Sequence, residues 1–128
     1  MNPDWYKSRN LLITSVNEQI ASVLSTLVTD DEQAKVTTDT LSNVWQLIRM
    51  LPFDISIPEI GVDPDGSIAL DWAPTRTRMF SISISESDRL AYAWLLGSDH
   101  GNGVIYFKNG LPQWMLSLLL EITLDKLY

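Results

Sequence analysis

Apolar residues along the chain follow two periods in turn. From Leu12 they recur at three and four positions, through Val16, Ile20, Val23, Leu24, Leu27 and Val28, which is the spacing of an α-helix. Asn2-Pro3-Asp4, ahead of Trp5, reads as the start of that helix: a capping residue, a proline that needs no N–H, then an acid. The polar run Ser8-Arg9-Asn10 is expected to break it, and Ser15-Val16-Asn17-Glu18 to restart it as a capping box. A second helix carries Leu41, Val44, Trp45, Ile48 and Leu51 on one face and ends at Pro52. Thr29 or Asp30 can cap it. The β-branched run Val36-Thr37-Thr38 makes Thr38 a later alternative.

After Phe53 the period becomes two. Ile68, Leu70 and Trp72 alternate with small or polar residues, as do Phe80, Ile82 and Ile84, and then Leu90, Tyr92 and Trp94. Ile55–Ile60 predicts a strand before these three, with Pro58 marking an edge or bulge, and Val104–Phe107 one after them. Asp63-Pro64-Asp65-Gly66 and Ser85-Glu86-Ser87-Asp88 are hairpin turns, and the Gly- and Asn-rich stretch 98–103 is expected to be a loop. Such short links imply an antiparallel meander. The last segment, from Leu111-Pro112, is a helix whose polar residues Gln113, Ser117, Glu121 and Asp125 form one narrow stripe. A helix so apolar requires cover on two sides, from the sheet and from either the N-terminal helices or a second copy of the chain.

The expected fold is therefore α+β, in one domain of residues 1–128: a helical part over 1–52, a four- or five-stranded antiparallel meander over 53–108, and a C-terminal helix over 111–128 packed on the apolar face of the sheet. The opposite face is small, with Ala69, Ala73, Ser81, Ser83, Ser85, Ala91 and Ala93. It is either the wetted side of the sheet or a flat docking surface.

The chain's 128 residues suffice for one hydrophobic core. Nine Lys and Arg face sixteen Asp and Glu, a net charge of −7, which argues against a groove for nucleic-acid backbone. With no cysteine and one histidine, thiolate chemistry and two-histidine or cysteine-ligated metal sites drop out, so no cofactor is expected. No signal peptide or membrane-spanning run is visible, which predicts a cytoplasmic protein without membrane contact. Asp63-Pro64-Asp65-Gly66 lacks the further ligands of a calcium loop and reads as a plain turn.

Few residues remain that could carry function. Asp30, Asp31 and Glu32 either favour a helix N-terminus or form an acidic surface for a basic partner, one that imitates phosphates included. Arg76 and Arg78 could hold a phosphate or carboxylate, or pair with Asp71 or Glu86 across a hairpin. Trp45, Trp72 and Trp94 fall on apolar stripes and are expected in the core. Trp5 and Trp114 are candidate interface anchors. His100, beside Asp99, has no nucleophile motif near it, and a catalytic role is not expected.

Three segments, Ile57-Pro58-Glu59-Ile60, Asp65-Gly66-Ser67-Ile68-Ala69-Leu70-Asp71-Trp72 and Arg78-Met79-Phe80-Ser81-Ile82, together resemble a pattern in small uncharacterised bacterial proteins, often found in mobile or variable gene neighbourhoods. The resemblance spans residues 55 to 125. It implies the meander and a bacterial source, and no activity.

The reading favoured on these grounds is a non-catalytic module that binds another protein and self-associates, such as an inhibitor, antitoxin, immunity or anti-defence protein. The alternatives are a small-molecule binder with a tryptophan-lined pocket between helices and sheet, and a hydrolase around His100.

Overall fold

The computed structural model describes residues 5–26, 35–52 and 55–123. Two helices, α1 (Trp5–Thr26) and α2 (Thr38–Met50), precede five strands: β1 (Glu59–Val62), β2 (Ile68–Thr75), β3 (Arg78–Ile84), β4 (Arg89–Leu96) and β5 (Asp99–Tyr106). A last helix, α3 (Gln113–Thr123), follows them. The strands form one antiparallel meander in which spatial order equals chain order, so the fold is α+β.

Register explains why one face is apolar. Ile68 pairs with Ile84, Leu70 with Ile82 and Trp72 with Phe80; Phe80, Ile82 and Ile84 then meet Trp94, Tyr92 and Leu90. Because side chains alternate across the sheet, all of these point to one side. The helices close that side, with α1 against β1, α2 against β3, and α3 across β2 and β3. Leu12, Val16 and Ile20 of α1, Val44, Leu47 and Ile48 of α2, and Met115, Leu119 and Ile122 of α3 are buried in a shared core with the strand residues. Gln113, Ser117 and Glu121 remain exposed, as the polar stripe predicts.

Several local expectations need correction. α1 runs unbroken through Ser8-Arg9-Asn10 and through Ser15-Val16-Asn17-Glu18. Polar residues inside a helix cost only tenths of a kcal/mol each, on the order of 0.5, and the burial of Leu12, Val16 and Ile20 outweighs that. The α2 cap is Thr37 rather than Thr38: its Oγ1 accepts the Thr40 N–H at 3.2 Å. Thr29, Asp30 and the Asn2-Pro3-Asp4 start lie outside the described residues, as does the end of the chain after Thr123. β1 spans 59–62 rather than 55–60, so Pro58 precedes the strand and does not interrupt it. The largest change concerns stretch 98–103, which is no loop. Strand β5 begins at Asp99, and the link from β4 is only Gly97-Ser98, with Gly97 at φ 65°.

Glycine in β5 has a steric cause. A Cβ on Gly101 would meet the Trp94 indole, and one on Gly103 would stand 2.7 Å from the Tyr92 hydroxyl. The two rings of β4 lean across the neighbouring strand and occupy the space a side chain would need. In the β1–β2 link the Gly66 N–H donates to the Asp63 carbonyl and the Asp63 N–H to the Ser67 carbonyl, both at 2.9 Å. Gly66, at φ 89°, supplies the left-handed residue such a turn requires.

Long-range polar bonds tie the helices to the sheet. Asn43 of α2 donates from Nδ2 to the Ser85 and Ser87 carbonyls, each at 2.9 Å. Gln19 of α1 acts on the outer edge of β1: its Nε2 donates to the Pro58 carbonyl (2.8 Å) and its Oε1 accepts the Ile60 N–H (2.9 Å). One side-chain amide thus does the work of a neighbouring strand. Gln19→Ala should lower stability by about 2 kcal/mol, since both backbone groups lose a partner in a half-buried place. Hydrogen exchange should show the Ile60 amide speeded far more than that of Leu70, and equal protection in both proteins would contradict this role.

Candidate functional site

β2 is longer than β1, and its far end overhangs. Glu59↔Asp71 is the last pair of the β1–β2 ladder. Beyond it, β2 shifts register between Trp72 and Thr75, where Pro74 sits at the irregularity. The overhang, the Ser56-Ile57 segment and the end of α3 enclose an open groove of about 520 Å³. Apolar surface comes from Ile57, which is 50% exposed, and from the exposed Ala73 and Pro74, with the buried Trp72 behind them. The indole of Trp72 fixes one wall, because its Nε1–H donates to the Ser56 carbonyl at 2.7 Å. Glu59 and Asp71 both line the groove and both are exposed. Two carboxylates directly opposite on adjacent strands repel each other. A cation placed between them relieves that repulsion.

The residues singled out in the sequence scatter. Arg78 reaches the groove but is already engaged: its guanidinium donates to the α3 carbonyls of Glu121 (3.0 Å) and Ile122 (2.6 Å). An arginine there satisfies carbonyls in the last described turn of a helix and complements its dipole. Arg76 is exposed in the two-residue β2–β3 turn. Trp114 is 47% exposed on α3, its ring edge-on to Tyr92 with centroids 5.4 Å apart. Trp5 lies in the first turn of α1, with its side chain outside the described residues; Asp30, Asp31 and Glu32 also lie outside them. Trp72 is buried, while Trp45 and Trp94 are partly buried against the core. His100 sits on β5 opposite Leu95, exposed, on the outer face of the sheet.

That outer face carries Ser81, Ser83, Ala91 and Ala93 at its centre, with Met79, Val104 and Tyr106 exposed around them. At one end a second open cavity of about 320 Å³ is lined by Asp65, Ser83, Ser85, Ser87 and Arg89, among others. The Ser67 hydroxyl (2.6 Å), and after it the Ser67 N–H (2.9 Å), hold the Asp65 carboxyl below its ordinary value. A lowered folded-state pKa stabilises the turn above the usual carboxylate range and is lost as pH falls through the lowered value.

Among the described residues, no group of three or more His, Asp or Glu is placed to hold a metal ion, and no helix is long and apolar enough to cross a membrane. No family model, curated protein or solved structure was found to match the chain.

The Glu59–Asp71 pair escaped the sequence reading although its signal was present. Counting outward from the Asp63–Gly66 turn places Glu59 opposite Asp71, but only once β1 is known to reach Val62.

Proposed function

We propose that the protein is a small acidic, non-catalytic interaction module, of the inhibitor, antitoxin, immunity or anti-defence kind, whose partner is a basic protein. The observation that carries this reading is the like-charged cross-strand pair Glu59↔Asp71 in a groove walled by Ile57, Trp72 and Pro74. A lysine or arginine side chain suits such a place. Its aliphatic stem lies along apolar surface while its charged head meets the carboxylates. The net charge of −7 supports the same partner, since it draws basic surfaces into encounter.

The pair costs the isolated protein stability and contributes to binding, so its removal should separate the two. Glu59→Gln with Asp71→Asn is expected to raise stability by roughly 0.5 kcal/mol. The same variant should lose binding to short peptides that present one arginine or lysine between apolar residues. Titration followed by NMR at the Trp72 indole N–H reads this directly. The wild-type signal should move with basic peptides, less so as salt rises, and not with acidic ones. An indole signal indifferent to basic peptides at low salt would overturn the reading.

A further inference from the structure

The two edges of the sheet are finished differently. β1 has only four residues, and Gln19 accepts the outward Ile60 N–H and donates to the carbonyl of Pro58 just ahead of the strand. β5 has eight residues and contains no proline, no lysine and no bulge, the devices that usually blunt an edge. The Phe107 N–H donates to the Asp88 carbonyl at 3.2 Å, which sets the phase of the β4–β5 ladder. Alternation then turns the backbone groups of Gly101, Gly103 and Ile105 inward to β4, and those of His100, Asn102, Val104 and Tyr106 outward. All four outward residues are exposed, Tyr106 by 68%, and among the described residues no hydrogen bond reaches their backbone groups.

We propose that β5 pairs antiparallel with β5 of a second copy, about a two-fold axis at Gly103, joining two sheets into one. This register sets His100 opposite Tyr106 of the second copy and Asn102 opposite its Val104, so every outward residue finds an outward residue. Charge selects the antiparallel sense. Asp99 begins the strand, and Lys108, which lies 4.0 Å from Asp88 with its side chain 75% exposed, follows its end. Antiparallel pairing brings the acidic end of one copy to the basic end of the other, whereas parallel pairing sets like against like. The strip between them holds no Asp, Glu, Lys or Arg, so the net −7 of each chain is not concentrated at the seam. Sterics agree on the core face. Glycine stands at the axis, Ile105 stands opposite Gly101 of the second copy, where it meets the Trp94 indole that covers that glycine, and Tyr92 lies over Gly103 with Trp114 against it. The half-exposed Trp114 is thereby placed beside the seam. Such an isologous contact closes on itself, and it uses none of the groove residues, so it stands or falls apart from the proposed partner.

The experiment measures mass by sedimentation equilibrium on the full chain at concentrations up to about 100 μM. The wild type should approach twice 14.5 kDa. Val104→Pro removes an outward N–H that the monomer does not use, so the fold should survive while dimerisation weakens by about tenfold or more. Val104→Lys tests the same edge with the backbone intact, and it decides the matter if the proline variant misfolds. Register is read by Asn102→Cys combined with Val104→Cys in this cysteine-free chain. Cα atoms in such a pair are about 5.5 Å apart, within disulfide reach, so mild oxidation should give a covalent dimer. A monomeric wild type, or a dimer that both Val104 variants leave unchanged, overturns the proposal. A dimer that weakens but fails to cross-link overturns the register at Gly103.

Discussion

Gly66→Ala should lower the unfolding free energy by about 3 kcal/mol, and Gly97→Ala by only about 1 kcal/mol. Both glycines lie at positive φ, 89° and 65°, where a Cβ costs about 1–2 kcal/mol. Their surroundings differ. Nothing lies within 4 Å of a Cβ built on Gly97, whereas one on Gly66 would collide with the backbone carbonyl of Lys35. Backbone cannot rotate aside as the end of a side chain can, and overpacking of this kind adds about 1–3 kcal/mol. The contact also joins the β1–β2 turn to the segment that leads into α2, so the strain falls on two elements. Urea midpoints of the two variants measure the difference. Equal losses would mean that the chain at Lys35 yields freely and that the turn is not packed against it.

Strands β2, β3 and β4 were legible because their large residues have one reason to alternate: a single wet face. Of β5 only the half from Val104 onward is legible; the half before it is not, because its composition answers to a neighbour. Gly101 and Gly103 look like loop residues until Trp94 and Tyr92 of β4 are seen lying over them. A ring that crosses to the next strand leaves no trace in that strand except smallness, and smallness also marks turns. α1 misled in the opposite way. Ser8-Arg9-Asn10 carries weak local signals of an end, and burial of Leu12, Val16 and Ile20 overrides them.

The site was harder still. Trp114 is an anchor candidate by residue type alone, and it is half exposed, although its helix's narrow polar stripe calls for cover on two sides. For Arg78 the local pattern offers a ligand or an ion-pair partner within its hairpin, and its guanidinium also holds carbonyls 43 and 44 residues away. No local pattern reports a partner at that distance. The Glu59–Asp71 pair lay between the two cases. The Asp63–Gly66 turn sets its register, but a strand placed at 55–60 instead of 59–62 hides the consequence.

The other large effect concerns Trp72, which links the core to the groove. Trp72→Ala should cost about 3–5 kcal/mol, the usual loss for truncating a buried indole. Only 3% of the residue is exposed, and it pairs with Phe80 on the core face. A domain of this size is stable by about 5–15 kcal/mol, so the variant should be partly unfolded at ambient temperature or close to it. Trp72→Phe separates the two roles of the side chain. It keeps most of the apolar volume but cannot donate to the Ser56 carbonyl, for a loss of about 1 kcal/mol, because Ser56 is exposed and water can replace the donor. The consequence for the groove is larger than for the fold. Without that bond the Ser56-Ile57 wall is no longer fixed against β2, although Glu59 and Asp71 remain in place. Binding of a basic peptide should therefore weaken severalfold in the phenylalanine variant while its salt dependence persists. In the Glu59→Gln, Asp71→Asn variant the salt dependence should vanish with the binding. Unaltered affinity in a folded Trp72→Phe protein would show that the wall contributes nothing, and that the carboxylates alone recruit the cation.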